Sequence, residues 1–498
     1  MPTYLIQFAQ SHEEFRLPEL LSLAKLERIN LECDQDKYRL DNPYFKITLD
    51  SDEDARKLIR RSILIKNIYA LWAEGNTYEE IHTQVKDQPE LWNGKYDDVS
   101  FKFTVSAFGS TVTVQQQRDV INSFSYLGFN GPISMKNPDY RFCVMEDYGG
   151  GPPVIGVEPT RKWIYMGVMV AKGSRDTVQK YNLKKRKYLG TTSMDAELSL
   201  IMGNQAQAAP GKLIYDPFVG TGSFLFTCAH FGAFTLGSDI DGRQIRGKTG
   251  SAGGVAGSSV QSNIEQYNLQ GRVLDSLVFD VCHHPWRAKA WLDAIVTDPP
   301  YGVRAGAKRL GRKEDSKKTL QMRTYEGEPM HVREDYYPPT KPYEMSEVLA
   351  DLLNFSAEHL RVGGRLVYWL PTVVEEYSSA DLPKHPSMTL ISNSEQNFGQ
   401  WSRRLITMEK IREWDPSQVI TAQDTESSCI PTEQQTTTIP KKTQETVPEG
   451  AVEDPKRPGH YLFREKYFSF GRNTPESTSS PSSAAVTAAT SFSESEAK

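Results

Sequence analysis

Beyond residue 211, short apolar runs alternate with amphipathic stretches, a pattern that few folds can use. Strands are predicted at 212–215, 234–238, 272–279, 292–297 and 365–370. Helices are predicted at 223–230, 259–267 and 343–360, the last ended by Gly363-Gly364. Strands and helices in this order build a doubly wound, mostly parallel α/β sheet. Ligands of such sheets lie beyond the carboxyl ends of the strands. The residues that end strands are therefore the ones to read for chemistry.

The first strand runs into Asp216-Pro217-Phe218-Val219-Gly220-Thr221-Gly222-Ser223. Two glycines around a threonine make a tight turn whose backbone can approach a ligand closely. No lysine follows, so a phosphate-binding loop is disfavoured. The second strand ends in Asp239-Ile240-Asp241, suited to accept hydrogen bonds from ribose hydroxyls. The third ends at Asp280, which can accept from an adenine amino group. The fourth ends in Thr297-Asp298-Pro299-Pro300-Tyr301-Gly302. Prolines hold this turn rigid, so the Asp298 carboxylate and the Pro299 carbonyl present two acceptors beside the flat Tyr301 ring. Two acceptors and a ring match a planar base carrying an exocyclic amino group. That amine is a poor nucleophile, and positioning its hydrogens on acceptors would supply much of the catalysis.

The series D-P-F-x-G-T-G-S, S-D-I-D and D-P-P-Y resembles the S-adenosylmethionine-dependent amino-methyltransferases. Arg186-Lys187-Tyr188-Leu189-Gly190-Thr191-Thr192-Ser193-Met194-Asp195 and the aromatic island 461–468 narrow the resemblance. It is to the THUMP-containing tRNA guanine-N(2)-methyltransferases that act at position 10. The resemblance implies a Rossmann-like class I methyltransferase domain after an N-terminal α+β region, ferredoxin-like plus THUMP, that binds RNA. It implies S-adenosyl-L-methionine as cofactor, held by Thr192, Ser193, Asp216, Phe218, Gly220, Gly222, Asp239, Ile240 and Asp280. It implies Asp298, Pro299, Pro300 and Tyr301 at the target base, tRNA as substrate, and a small zinc-binding activator subunit as heterodimer partner.

The expected organisation follows. Residues 1–60 are a ferredoxin-like segment, 61–160 a THUMP-like domain and 161–190 a basic linker. Residues 191–415 are the methyltransferase domain. In the N-terminal part, strands are predicted at 3–9, 44–49 and 99–107, and helices at 17–29 and 55–65. Ser51-Asp52-Glu53-Asp54 suit a helix start. Gly131 to Tyr140 resembles the end of a THUMP domain. Residues 416–452 are too polar to bury a core and read as a disordered insertion, with 473–498 a disordered tail. Between them, 453–472 reads as a short segment packed back on the body. Residues 247–259 look like a small-residue insertion, and 303–340 like a mobile loop near substrate.

The net charge of −5 hides local clusters. Residues 161–187 carry nine Lys/Arg against one acid, 303–323 eight against two, and 55–66 five against none. Lys172, Lys184, Lys185, Arg186, Lys187, Arg304, Lys308 and Arg309 are the expected phosphate contacts. The five scattered cysteines form no CxxC pair and fit a reducing, cytoplasmic setting. No metal is expected, since His283-His284 lack further ligands nearby. No secretory signal or membrane span is read. Two other readings remain open: an adenine 6-amino methyltransferase on DNA or ribosomal RNA, and a non-catalytic RNA-binding scaffold.

Overall fold

A computed structural model of the protein describes residues 1–151, 159–248, 255–302, 307–311, 324–325, 327–330, 333, 336–426, 463 and 467. The N-terminal part comprises β1 (Thr3–Phe8), α1 (Arg16–Glu27), β2 (Tyr44–Thr48), α2 (Asp52–Ile59), β3 (Ile65–Gly75) and α3 (Tyr78–Lys86). It continues through β4 (Phe101–Phe108), α4 (Val114–Ser123), β5 (Tyr140–Asp147) and β6 (Trp163–Lys172). Side-chain caps start three of its helices, from Ser51, Thr77 and Thr113. On β4, Phe101, Phe103 and Val105 join one apolar cluster with Phe142.

All six strands form one sheet in the order β2-β1-β3-β6-β5-β4. The sheet therefore runs across the boundary expected at residue 60. The 161–190 stretch is not simply a linker, because its first part is β6, which joins β3 to β5 at the sheet's centre. The chain then forms α5 (Thr177–Tyr181) and enters the second unit.

That unit contains α6 (Ala196–Gln205), β7 (Leu213–Asp216), α7 (Ser223–His230), β8 (Phe234–Asp239), α8 (Gly242–Ile245), α9 (Val260–Tyr267), β9 (Val273–Val278) and β10 (Leu292–Thr297). Short strands β11 (Lys308–Leu310), β12 (Thr324–Tyr325), β13 (Glu328–Pro329) and β14 (Thr340–Pro342) pair as β11 with β14 and β12 with β13. Then come α10 (Met345–His359), β15 (Leu360–Val373), β16 (Met388–Asn397), β17 (Trp401–Lys410) and α11 (Ala422–Glu426). The seven-stranded sheet has the order β16-β17-β15-β10-β7-β8-β9. Strands β15, β10, β7, β8 and β9 are parallel, and β17 and β16 complete the sheet antiparallel. Strand order reverses between β7 and β10, which makes their carboxyl ends the switch point of the fold.

Each face of this sheet is covered by apolar side chains. Val367 and Trp369 of β15 pack with α6 and α7 on one face, while Leu366, Tyr368 and Leu370 pack with α10 on the other. Gly363-Gly364 do not separate helix from strand as expected. They lie inside β15, opposite a register shift between Leu292 and Ala294 of β10. Residues 416–426 are not disordered: Ile420 and Thr425 are buried, and Asn354 exchanges two hydrogen bonds with the Ile420 backbone. The remainder of 416–452 and the 473–498 tail lie outside the described residues. Among the described residues, no helix is long and apolar enough to cross a membrane.

The two units are joined through a buried polar seam. Glu19 of α1 is fully buried and accepts from Ser62 Oγ at 2.8 Å, Ile63 N at 2.9 Å, Leu64 N at 2.8 Å and Asn204 Nδ2 at 2.6 Å. Arg365 of β15 donates to Ser22 Oγ and to the Gln205 carbonyl, and pairs with Glu409 at 3.1 Å. Phe15 inserts beside Trp369, ring centroids 5.9 Å apart. Removing the Glu19 acceptor strands three or four buried donors. Glu19→Ala should lower unfolding free energy by about 2–4 kcal/mol in denaturant titration, and an unchanged midpoint would refute this role.

Candidate active site

Three carboxylates stand at the carboxyl ends of adjacent strands: Asp216 on β7, Asp239 on β8 and Asp298 just after β10. Asp216 is 2% exposed. Its Oδ1 accepts from Thr297 Oγ1 at 2.7 Å and from Phe218 N at 3.0 Å, which ties β7 to β10. Its Oδ2 is buried with no hydrogen-bond partner among the described residues. Burial pushes its carboxyl up to about 8, and the Asp239 and Asp298 charges add to this. Asp239 accepts from Gly220 N and Asp241 N, both at 2.9 Å, and burial raises it to about 6.

The glycine turn sits between these acids. Gly222 has φ +83°, and a Cβ there would lie 2.9 Å from Phe226 Cζ and 3.3 Å from Val260 Cγ1. The segment before α6 folds onto this turn. Tyr188 is held by Asn263, which accepts from its N–H and donates to its carbonyl. Ser193 Oγ then lies 2.7 Å from Thr221 Oγ1. The structure thus brings Ser193 to the Gly220–Gly222 turn, with exposed Thr192 beside it. Phe218 and Ile240 flank the same loop, half-buried. The orphaned Asp216 acceptor and the open turn fit a ligand that carries ribose hydroxyls and a cationic amino group. Asp280, expected at an adenine amino group, has each oxygen accepting one backbone N–H, from Cys282 at 3.1 Å and Leu310 at 2.6 Å. It anchors β11, and an adenine amino group would have to share those oxygens.

Asp298 Oδ1 accepts from the Tyr301 hydroxyl. Burial raises Asp298 to about 6, against the lowering effects of Tyr301 and the Arg403 charge. Pro299 is buried and Pro300 half-buried beside it. Sequence reasoning missed the groups that surround Tyr301. Arg403 of β17 lies over the Trp369 ring at 4.2 Å and donates to Gln396 Oε1. Trp401 stacks on Phe398 at 4.4 Å and 18°. Phe463 is 2% exposed and meets Tyr301 edge-on at 6.4 Å and 89°. The aromatic island therefore packs on the folded body through Phe463 and Tyr467; its other residues lie outside the described residues.

The basic residues divide. Lys184, Lys185 and Lys187 are exposed. Arg186 is not on the surface: it is 3% exposed, donates to Ser223 Oγ at 2.8 Å and lies 5.3 Å over the Phe226 ring. It props the start of α7 and leaves the set of phosphate contacts. Arg309 is half-buried and paired with Glu347, which makes it an anchor for β11. Lys308 is exposed, 5.6 Å over the Tyr337 ring, and Lys172 pairs with Asp176. Arg304 lies outside the described residues. His284, Glu358 and His359 bring possible metal-ligand atoms within 4.8 Å of one another, a grouping hidden by their distance in sequence.

Asp216 also yields a test of stability. Its folded value near 8 exceeds the ordinary carboxylate value of 3.8. Stability that is full below about pH 4 therefore erodes as pH rises toward about 8. Asp216→Asn should remove that erosion, so the wild-type melting temperature should fall relative to the variant's between about pH 4 and about pH 8 and keep a constant offset above that. Parallel melting curves across this range would contradict the assignment.

Comparison with known proteins gives the family. Residues 2–175 match the model of the Tmrp11 THUMP N-terminal domain, and residues 184–314 that of the RMKL-like methyltransferase domain. The tRNA (guanine(10)-N(2))-methyltransferase of Schizosaccharomyces pombe is 39% identical, over 96% of this chain and 98% of its own. That of Saccharomyces cerevisiae is 40% identical, over 82% of this chain and 92% of its own. The Homo sapiens protein TRMT11 of the same description is 37% identical, over 83% and 89%. The crystal structure of TrmN from Thermus thermophilus covers 82% of this chain and all of its own, at 17% identity and TM-score 0.39. With such identity across nearly the full length of both chains, this protein belongs to the tRNA (guanine(10)-N(2))-methyltransferase family.

Proposed function

We propose that this methyltransferase acts on the exocyclic 2-amino group of the guanine at position 10 of tRNA, as catalytic subunit of a two-subunit complex. The observation that carries the reading is the half-buried Asp298 carboxylate, held by Tyr301 beside Pro299 at the switch point. S-adenosylmethionine, when bound, supplies a methyl group activated by its sulfonium. Asp216 and Asp239 would hold its amino and ribose groups, with Ser193 and the 220–222 turn around it.

The chain's own residues prepare the amine. Asp298 and the Pro299 carbonyl accept its two hydrogens, which localises the nitrogen lone pair and aims it away from the acceptors. Tyr301 offers a face for the base, and its hydroxyl leaves Asp298 Oδ2 available to the substrate. As the nitrogen–carbon bond forms, nitrogen sheds a proton, and Asp298 is the nearby base. Only its ionised form can take up that proton. Exposed Lys184, Lys185 and Lys187, next to the segment that reaches the glycine turn, are positioned to contact phosphates.

The partner subunit, a small zinc-binding activator, stays part of the proposal. Strand β9 is an edge of the seven-stranded sheet, with Leu274 and Val278 exposed, and such an edge favours an added strand. The free thiols of Cys33, Cys143, Cys228 and Cys282 support a cytoplasmic location.

Asp298→Ala should cut methylation by about a thousandfold or more while tRNA still binds. Mass spectrometry of tRNA nucleosides reads the product, and full retained activity would sink the mechanism. With wild type, kcat/KM should fall as pH drops through about 6, with a slope of one proton. Replacing Lys184, Lys185 and Lys187 by Ala should weaken tRNA binding and shrink its salt slope by about one for each phosphate no longer neutralised. A salt slope equal to wild type would remove these lysines from the interface.

A further inference from the structure

A base lifted out of a nucleic-acid stack loses its neighbours, and an enzyme must restore flat contacts around it. Asp298, Pro299 and Tyr301 provide two acceptors and one ring. What holds that ring in place is not supplied by its own turn. Pro300 and Gly302 flank it, and Gly302 has φ +74°. Its hydroxyl is tethered to Asp298 and faces Arg403, and its ring packs on the core cluster that contains Trp369, contacts that leave the ring edge facing residue 463 to be filled.

Among the described residues, Phe463 makes the aromatic contact to Tyr301. Phe463 is in turn fixed by Trp401 at 5.8 Å and Tyr467 at 5.8 Å. Tyr467 meets Trp401 edge-on at 5.6 Å and 76°. Trp401 is braced from a third direction by Phe398. Strand pairing sets Trp401 opposite Val373 and Arg403 opposite Pro371, so Trp401 and Arg403 share one face of the sheet. Arg403 brings the cation whose field reaches Asp298 and Tyr301. An edge-to-face contact is directional, so this array prescribes a tilt for Tyr301 as well as a position. Phe463, being 2% exposed, cannot stack on a base itself. It can act only through Tyr301.

We propose that Phe463, braced by Trp401 and Tyr467, is a positioning residue for Tyr301, which sets the plane in which the target purine is seated. The proposal rests on the functional reading above, since it presumes a base against Tyr301. It adds a part of the site supplied from more than 150 residues further along the chain. The requirement is for a flat ring at 463, not merely for an apolar filler.

The test uses the full chain, with its activator subunit present if activity requires one, and three variants: Phe463→Ala, Phe463→Leu and Phe463→Trp. Single-turnover methylation of tRNA, tRNA affinity, calorimetric S-adenosylmethionine affinity and melting temperature are read for each. Phe463→Ala and Phe463→Leu should slow methyl transfer by about ten- to a hundredfold, the cost of a small misplacement. Cofactor and tRNA affinities should stay within about twofold, since neither binding surface includes residue 463. Phe463→Trp should recover most of the rate. The acid limb of the pH profile should move upward in Phe463→Ala, because a loosened Tyr301 hydroxyl no longer favours the Asp298 carboxylate.

Two outcomes of these measurements overturn the proposal, and a third comes from the spectroscopic readout below. One is a Phe463→Leu enzyme with wild-type rate, which would make Phe463 a plug. The other is loss of cofactor binding and thermal stability together in Phe463→Ala and Phe463→Leu. A readout independent of turnover separates this proposal from the functional one. Fluorotyrosine placed at 301 should give a fluorine resonance that moves in Phe463→Ala and returns in Phe463→Trp. A wild-type protein that makes no N(2)-methylguanosine refutes the functional reading. A resonance indifferent to residue 463 refutes the positioning role.

Discussion

Three acids gathered at neighbouring strand ends are costly to keep, and that cost organises the catalytic centre. Asp216, Asp239 and Asp298 are each desolvated, and each is pushed toward its neutral form. Hydrogen bonds hold them in place: Thr297 on Asp216, the Gly220 and Asp241 amides on Asp239, the Tyr301 hydroxyl on Asp298. Every one of these donors comes from a strand end or turn that the parallel sheet already places there. One oxygen of Asp216 has no donor among the described residues. The centre is therefore poised for a positively charged ligand, whose arrival would relieve the repulsion among the acids.

The same region is where the two units of the chain meet. Phe15, from the N-terminal unit, lies against Trp369, and the Arg403 guanidinium also covers that ring. Trp369 thus belongs at once to the seam between units and to the wall behind Tyr301. The Glu19 cluster and Arg365 lock that seam with buried, directional bonds rather than with apolar contact alone. A rigid seam suits a protein that must grip one part of a large RNA and present another part to a small pocket.

How much of this was legible in the sequence depends on how local the cause is. The strand ends were, because a glycine turn or a Pro-Pro corner is set by consecutive residues; the contact of Ser193 with Thr221 was not, because the two lie 28 residues apart. Arg186 was not, because a count of basic residues cannot tell a solvated cation from one buried under α7 against Phe226. That one sheet crosses the boundary expected at residue 60 was not legible, because β6 enters between β3 and β5 after a long excursion and nothing near residue 60 records it. Residues 416–426 looked too polar to pack, yet backbone exchange with Asn354 and one buried isoleucine suffice. Trp401, Arg403 and Phe463 went unassigned since only strand pairing and a distant return of the chain bring them to Tyr301.

Phe463 carries one more implication, for biosynthesis. A ribosome releases the chain from its first residue onward, and both sheets are complete by Lys410. The environment of Tyr301 is not. Until Phe463 and Tyr467 leave the exit tunnel, a nascent chain can hold every acid of the centre and still lack the ring that abuts Tyr301. Folding of the body and completion of the pocket are thus separate events in time, and a message truncated between them would yield a well-folded but unfinished enzyme.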